Sequence, residues 1–197
     1  LCEVSKPAYV LEASRGHAHP EGTRWRGRPV DRSFNIGTLS GFTLVRKEAV
    51  TPLTVDVPFT SACIVGCGVM TGFGSVVNTA KVQPGSSVVV IGVGGVGLNV
   101  IQGARIAGAS QVIAVARKAA RLETAKMFGA THTIQVAPDD ATLEKAAAAV
   151  RKLTGGRGAD YAFEATAVPA LAFAPLLFVR TGGMALQLSG VNDPVSV

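Results

Sequence analysis

One stretch of the chain has a composition and spacing that suit a specific chemistry, an apolar run that ends in a glycine cluster. Residues 87–91 are Ser-Val-Val-Val-Ile, and the next six are Gly92, Val93, Gly94, Gly95, Val96 and Gly97. The glycines fit the spacing G-x-G-x-x-G. In this motif the first glycine makes a tight turn, the second lets the backbone approach a pyrophosphate, and the third lets a helix pack close to the strand. The phosphates would lie on the free N–H groups at the positive end of that helix. The motif therefore predicts a dinucleotide-binding turn, and the alternative is a glycine-rich turn without a ligand.

The residues on both sides of the cluster favour the dinucleotide interpretation. The run before it has the β-branched composition of a buried strand. After it, apolar residues recur at helical spacing through Val96, Val100 and Ala104, and Gly108 is expected to end the helix. A bare G-x-G-x-x-G motif is common, but a strand before it and a helix after it form the context in which it binds a dinucleotide.

The same alternation of strand and helix continues along the chain. Apolar runs predict further strands at 111–116, 131–136, 160–165 and 184–188. Helices are predicted at 95–107 and 119–128, and a third is expected to be capped by Asp139 or Asp140. Pro169 is expected to begin another helix and Pro175 to kink it. This alternation predicts an α/β fold with a doubly wound parallel sheet, from which a sixth strand would be missing.

The part of the chain before the glycine cluster has a different pattern. Residues 1–60 are predicted to be β structure and loop, and they include an exposed, arginine-rich loop between Arg15 and Arg32. Residues 61–80 are small and apolar and predict a pair of linking helices. Residues 81–197 are then expected to form the dinucleotide-binding domain. The chain lacks an initiator methionine, so its start is expected to be a cut.

Composition restricts the possible partners and the compartment. A formal net charge of +6 suits an anionic partner, and a phosphate-bearing cofactor supplies one. No nucleic-acid partner is expected, because the arginines around Trp25 lie in no recognised module. No membrane partner is expected either, because no apolar run reaches the ~18 residues of a span. Three cysteines are too few for a disulfide framework and predict a reducing, cytoplasmic location.

Several passages together resemble one enzyme family. They are Gly-Cys-Gly-Val-Met-Thr-Gly-Phe-Gly at 66–74, Ala-Lys-Val-Gln-Pro-Gly at 80–85, Ala-Gly-Ala-Ser at 107–110 and Met-Phe-Gly-Ala-Thr at 127–131. In this order they resemble the zinc-dependent medium-chain alcohol dehydrogenases, in particular the branch that includes glutathione- or mycothiol-dependent formaldehyde dehydrogenases. The resemblance implies a GroES-like catalytic domain, of which residues 1–60 would be the last part, followed by a Rossmann-type cofactor domain. The intact parent is expected to be a homo-oligomer.

The resemblance also implies roles for individual residues. The family moves a hydride between a nicotinamide dinucleotide and an alcohol or aldehyde, and a zinc ion polarises the substrate oxygen. Cys67 matches a catalytic zinc ligand, and Cys2 matches the last cysteine of a structural zinc site. Thr71 matches a position beside the nicotinamide, as do Ser189 and Gly190. Each zinc site keeps a single cysteine in this chain, so the chain by itself is expected to hold neither metal and to be inactive.

The choice between NAD and NADP depends on the end of the second predicted strand. An acidic residue there would bond the ribose 2′-hydroxyl and repel a 2′-phosphate. This chain has Ala116 at that place, followed by Arg117 and Lys118, with Arg121 one helical turn later. The missing carboxylate and the neighbouring cations favour NADP(H), while NAD(H) remains possible if these cations are only a solvated helix start.

Alternatives remain open for the function and for individual residues. The parent could be a zinc-free quinone or enone reductase of the same superfamily, or the chain could be a non-catalytic dinucleotide-binding module. Cys63, and Cys67 judged without the resemblance, fit small buried core residues. The pair His17 and His19 could chelate a metal only if it lay on a strand, and His132 fits a structural role.

Overall fold

The computed structural model describes residues 24–29, 41–42 and 50–190. The chain divides into two units, Leu1–Val57 and Pro58–Val197. In the first unit, the predicted arginine-rich loop contains a short antiparallel hairpin, β1 (Arg24–Trp25) and β2 (Arg28–Pro29). Cys2, His17 and His19 lie outside the described residues, so their predicted roles stay predictions.

A parallel sheet forms the centre of the second unit. Its strands are β3 (Ser87–Ile91), β4 (Gln111–Ala116), β5 (His132–Gln135), β6 (Ala159–Glu164) and β7 (Val179–Gln187). The strand order is β5-β4-β3-β6-β7, and every neighbouring pair is parallel. The prediction of a doubly wound α/β sheet is confirmed.

The helices connect these strands. They are α1 (Phe59–Ala62), α2 (Met70–Gly74), α3 (Gly95–Ile106), α4 (Ala119–Met127), α5 (Glu144–Leu153) and α6 (Pro175–Phe178). Two π-helical stretches, Val65–Val69 and Ser75–Ala80, flank α2, and a 3₁₀ turn covers Pro169–Leu171. The predicted helices before β4 and β5 are present, and each is followed by a glycine in the left-handed region, Gly108 (φ +82°) and Gly129 (φ +107°).

Buried side chains lie on both faces of the sheet. On one face, Val88 and Val90 of β3 belong to a cluster with Val100 of α3. On the other face, Val89 and Ile91 belong to a cluster that includes Val150 of α5 and Phe178 of α6. Because β3 is covered on both faces, it reads as an unbroken apolar run rather than an alternating one.

The start of α5 differs from the prediction in detail. The residue before the helix is Leu143, which has φ +65° and is buried. Asp140 still satisfies the first turn, since its carboxylate accepts the N–H groups of Lys145 at 3.1 Å and Ala146 at 2.9 Å. Asp139 does not cap the helix but forms an ion pair with the Lys145 side chain.

The region after β6 also differs from the prediction. Instead of one kinked helix, a 3₁₀ turn ends before Pro175 and a separate helix begins there, because proline lacks the N–H that a continuous helix needs. Strand β7 begins at Val179, five residues before the predicted start. The pairing with β6 shifts between Ala159↔Val179 and Tyr161↔Met184, so the two glycines at 182–183 lie in an irregular part of the strand.

The segment Phe59–Ala80 corrects the expectation about membrane spans. It is a single helical segment of 22 residues, and one 18-residue window has a mean hydropathy of 1.6. The premise that no apolar run is long enough is therefore wrong, because this segment mixes apolar residues with small neutral ones and has no charged side chain. The expected absence of a membrane partner stays a prediction. By length and composition this helix could cross a membrane, and core helices of soluble proteins pass the same test; 22% of the window is buried.

This helical segment packs closely against α3 through glycines. A Cβ on Gly72 would lie 2.4 Å from the Val96 carbonyl oxygen and 2.6 Å from Asn99 Cβ. A Cβ on Gly103 would lie 3.2 Å from Val76 Cβ. The two backbones can approach this far only because these positions lack side chains, and the contact fixes α2 beside the first turn of α3.

A polar cluster joins three strands, β3, β6 and β7, near their amino ends. The Asp160 carboxylate accepts the N–H and the hydroxyl of Ser87, both at 2.8 Å, and the Arg180 Nε–H at 2.7 Å. Burial raises the pKa of Asp160, but the hydrogen bonds from Ser87 and Arg180, together with the charge of Arg180, outweigh burial and hold the pKa below its ordinary value.

The lowered pKa of Asp160 predicts a loss of stability in acid. Since the unfolded chain binds this proton first, the stabilisation is fully present above the ordinary pKa of about 3.9 and is lost as pH falls through the lower folded pKa. We expect Asp160→Asn to cost about 1 kcal/mol at pH 7, a value reduced for the partial exposure of the cluster. Urea unfolding of both proteins from pH 7 to pH 3 measures the difference, which should shrink below about pH 4. A difference that stays constant over this range would contradict the assignment.

Candidate functional site

The crevice at the carboxyl ends of β3 and β6 lies where the strand order reverses. After β3 the chain crosses to β4 on one side, and β6 lies on the other side. In open α/β sheets, ligands bind at such a switch point. Gly92 leaves β3 here, and Ala165 follows β6, with its N–H donating to the Ile91 carbonyl at 2.8 Å. The predicted glycine turn therefore lies at the position where this sheet type binds its ligand.

At two positions of the motif, the packing and backbone conformation of the fold demand glycine even without a ligand. Gly92 has φ +91°, and a Cβ there would lie 2.8 Å from the Ala165 carbonyl oxygen. A Cβ on Gly97 would lie 2.0 Å from the Gly92 carbonyl oxygen, so α3 packs directly on the turn. These contacts correspond to the tight turn and the close helix packing that the motif predicts.

The middle of the motif is different, because nothing in the described part of the chain fills the space beside it. A Cβ on Gly94 or on Gly95 would meet no described atom within 4 Å. Gly94 has φ −95°, which any residue can adopt. Neither packing nor backbone conformation therefore demands glycine at 94, and the open space lies at the N-terminus of a 12-residue helix.

The N-terminus of α3 suits an anion. Gly94 precedes the helix and offers no side-chain cap, and the first turn holds no acidic residue. The first N–H groups of a helix have no partner within it and carry its positive dipole end. Val93 is buried in the core, so the turn presents its backbone rather than this side chain. A pyrophosphate fits this arrangement of open space and free donors.

The residues expected at the ribose end of a dinucleotide follow β4. Ala116 is the last residue of that strand and is half-buried. Arg117 and Lys118 are exposed in the connection to α4, and Arg121 is exposed in its first turn. Within residues 24–29, 41–42 and 50–190, no carboxylate forms an ion pair with any of these three cations.

The residues expected at the nicotinamide end come from two separate segments. Thr71 is half-buried in α2, and the neighbouring Gly72 packs against the first turn of α3. Ser189 and Gly190 follow β7, and the Ser189 hydroxyl donates a hydrogen bond to the Glu164 carboxyl group. The segment around Thr71 thus contacts α3, and the segment after β7 contacts the end of β6, so both lie against elements that form the crevice.

Sequence reasoning missed Glu164, which ends β6 at the crevice. It is fully buried, and it accepts hydrogen bonds from the N–H and the hydroxyl of Thr166 as well as from Ser189. The available signal was a charged residue at the end of an apolar strand. Its partners could not be inferred, because one of them lies 25 residues further along the chain.

Comparison with known proteins identifies the family. The family described as zinc-binding dehydrogenase matches residues 95–196, which are 102 of the 197 residues. The chain belongs to this family. The predicted resemblance to zinc-dependent alcohol dehydrogenases is confirmed.

Curated relatives of this chain carry related names. Alcohol dehydrogenase class-3 of Cereibacter sphaeroides is 39% identical over 142 residues, covering 71% of this chain and 38% of the relative. S-(hydroxymethyl)glutathione dehydrogenase of Paracoccus denitrificans is 39% identical over 167 residues, covering 80% of this chain and 44% of the relative. The chain therefore spans about two fifths of the length of these relatives.

Solved structures agree with the fold of a zinc-binding dehydrogenase. Benzyl alcohol dehydrogenase from Acinetobacter calcoaceticus superposes with a TM-score of 0.79 at 30% sequence identity. The match covers the whole of this chain and 53% of that protein. The parallel sheet with helices on both faces is thus the arrangement found in this family.

The cysteines of this chain do not lie as expected from the sequence. Cys63 and Cys67 both have exposed thiols, so the interpretation of Cys63 as a core residue, and of Cys67 taken alone as a buried one, is wrong. The reason is local, since burial in this helical segment begins at Gly72, where it meets α3. Exposure leaves the Cys67 thiol accessible to a metal.

A complete zinc site is not formed by the described residues. In the part of the chain that the structure describes, no three His, Cys, Asp or Glu residues come close enough to hold a metal ion. A catalytic zinc needs three protein ligands and a structural zinc four. The described residues therefore fit a dinucleotide but do not by themselves fit zinc.

Proposed function

We propose that this chain binds a nicotinamide dinucleotide in the crevice between β3 and β6. The observation that carries the proposal is the glycine at 94, which neither packing nor backbone conformation demands and which faces open space at the start of α3. A pyrophosphate approaching the backbone explains why a side chain is absent there.

Each residue of the proposed site has a distinct task. The backbone N–H groups of the turn and of the first turn of α3 bind the phosphates, and Gly94 permits their approach. Thr71 orients the nicotinamide from one side, and Ser189 and Gly190 contact it from the other. Arg117, Lys118 and Arg121 lie where they would meet the phosphate of the adenosine ribose. The cofactor supplies hydride transfer when bound.

We further propose that the longer protein is an alcohol or aldehyde oxidoreductase. The names of the curated relatives support this class, with a small alcohol or a formaldehyde–thiol adduct as the substrate. Cys67 would be one ligand of its catalytic zinc and Cys2 one ligand of a structural zinc. Residues 1–60 would belong to its GroES-like domain, 61–80 would link the domains, and 81–197 would bind the cofactor. We propose a cytoplasmic homo-oligomer.

A non-catalytic binding module is the second candidate for the chain taken alone. It is favoured by the lack of a metal-binding cluster among the described residues. Titration of the chain with NADPH and NADH by fluorescence tests the binding shared by both candidates. Turnover of alcohols after addition of zinc would exclude the non-catalytic candidate. Zinc found in the longer protein would exclude a zinc-free quinone or enone reductase.

We propose NADP(H) as the preferred dinucleotide. Ala116 places no carboxylate at the end of β4, where one would repel a 2′-phosphate. The three neighbouring cations are exposed, and no described carboxylate neutralises them. A 2′-phosphate would therefore gain attraction from cations whose charge is not already compensated.

A substitution at Ala116 tests this preference. We expect NADPH to bind roughly five- to tenfold tighter than NADH, and Ala116→Asp to reverse the order, because the new carboxylate repels the 2′-phosphate and accepts the ribose hydroxyl. Ala116→Asn is the control of equal size without the charge, and it should keep the wild-type order. Equal affinities in the wild type, or tighter binding of NADH, would contradict the preference.

A further inference from the structure

Glu164 is a buried acidic residue to which the proposed function assigns no task. Among the residues that the structure describes, it is the one carboxyl-bearing side chain with 0% exposure. The ion pairs in the same part of the chain involve other carboxylates, so no cation compensates it there. A buried carboxyl group is costly unless hydrogen bonds satisfy it. The fold therefore keeps Glu164 through its hydrogen bonds.

The hydrogen bonds of Glu164 join two different loops. Its Oε1 atom accepts the N–H and the hydroxyl of Thr166, in the loop after β6. Its Oε2 atom accepts the hydroxyl of Ser189, in the loop after β7. Its backbone carbonyl accepts the N–H of Leu188 at 2.9 Å. One residue thus fixes the positions of both loops at the carboxyl ends of neighbouring strands.

The loop after β6 also contacts the glycine turn. A Cβ on Gly92 would lie 2.8 Å from Thr166 Cγ2, so this methyl group already lies against the first glycine of the motif. In the sheet, Glu164 is paired with Ile91, the residue before that glycine. The chain of contacts therefore runs from the glycine turn through Thr166 and Glu164 to Ser189.

We infer that Glu164 is a positioning residue for dinucleotide binding, one that holds the loops after β6 and β7 at the separation that the bound cofactor requires. The inference rests on the proposed function, since it assigns to that crevice the residue that sets its shape. Glu164 acts through Thr166 and Ser189 and need not touch the cofactor.

The test measures cofactor affinity and stability separately. Glu164→Gln keeps the size of the side chain and one acceptor oxygen for Thr166, but it turns an NH₂ group towards Ser189. We expect the dissociation constant of NADPH to rise roughly fivefold at 10 °C, where the variant stays folded. Asp140→Asn is the matched control, because Asp140 is a buried carboxylate that accepts backbone N–H groups at the start of α5. It should change the affinity less than about twofold even if it lowers the unfolding midpoint equally.

The outcomes separate the inference from the proposed function. If the wild type binds neither NADPH nor NADH, both fail. If the wild type binds and Glu164→Gln binds equally well, or loses no more affinity than Asp140→Asn, the inference alone is overturned. A double variant with Ser189→Ala adds a second criterion. Its affinity should equal that of Ser189→Ala alone, because Glu164 acts on this loop through that hydroxyl, and independent losses would count against the inference.

Discussion

With aspartate in place of Gly94, the chain is expected to fold at least as stably as the wild type and to lose dinucleotide affinity by about a hundredfold or more. The side chain has room, since a Cβ at this position meets no described atom within 4 Å. Aspartate is also a preferred residue before the first turn of a helix, so it should stabilise α3. The carboxylate would occupy the space proposed for the pyrophosphate and would repel it.

A matched pair of variants separates charge from size at this position. Gly94→Asn has nearly the same shape and the same capping preference, but it has no charge. We expect it to bind NADPH more weakly than the wild type and more tightly than Gly94→Asp. Urea unfolding and fluorescence titration measure the two quantities. The phosphate assignment would be wrong if Gly94→Asp bound the dinucleotide as well as the wild type does.

Gly97→Ala is expected to damage the fold itself. Its Cβ would lie 2.0 Å from the Gly92 carbonyl oxygen, a backbone atom that cannot rotate away. Either α3 or the turn must therefore shift, and we expect a loss of about 3 kcal/mol or more in the free energy of unfolding. Dinucleotide binding should weaken too, because in the proposed site both the turn and the helix donate backbone N–H groups to the phosphates.

Gly95→Ala is the stability control for this variant. It lies two residues earlier in the same helical turn, and its Cβ would meet no described atom within 4 Å. Alanine favours helix over glycine by up to about 1 kcal/mol, so this variant should be as stable as the wild type or more stable. The urea unfolding midpoints of the wild type, Gly95→Ala and Gly97→Ala measure how much the close contact at Gly97 contributes to stability. Equal midpoints for Gly97→Ala and the wild type would show that the close contact carries no energetic weight.

Local patterns were enough to predict much of the sheet and of the glycine turn. The predicted and observed bounds of β4 coincide, because a β-branched run bounded by turn residues has few alternatives. The glycine motif could be placed because its context, a strand followed by a helix, is local as well. The position of Ala116 and its basic neighbours at the end of β4 could be predicted for the same reason, because it depends only on where that strand ends.

Features that depend on distant contacts could not be predicted in this way. The left-handed conformation of Leu143 follows from how the turn after Asp140 returns to the helix. The early start of β7 depends on its pairing with β6, and the glycines at 182–183 looked like a turn when judged alone. Glu164 gains its partners only when two loops meet. The exposure of Cys63 depends on which side of its helix the rest of the protein covers.

The central pairing of β3 with β6 has a consequence for folding during synthesis on the ribosome. Ser87 and Asp160, which meet across it, are 73 residues apart in the chain. At ribosomal rates of about 5–20 residues per second, roughly 4–15 seconds separate the synthesis of these two strands. During that interval one edge of the most apolar strand has no partner, and the crevice does not exist. A dinucleotide bound in the proposed crevice would therefore stabilise the finished sheet, but it would have no site to bind while the sheet is being assembled.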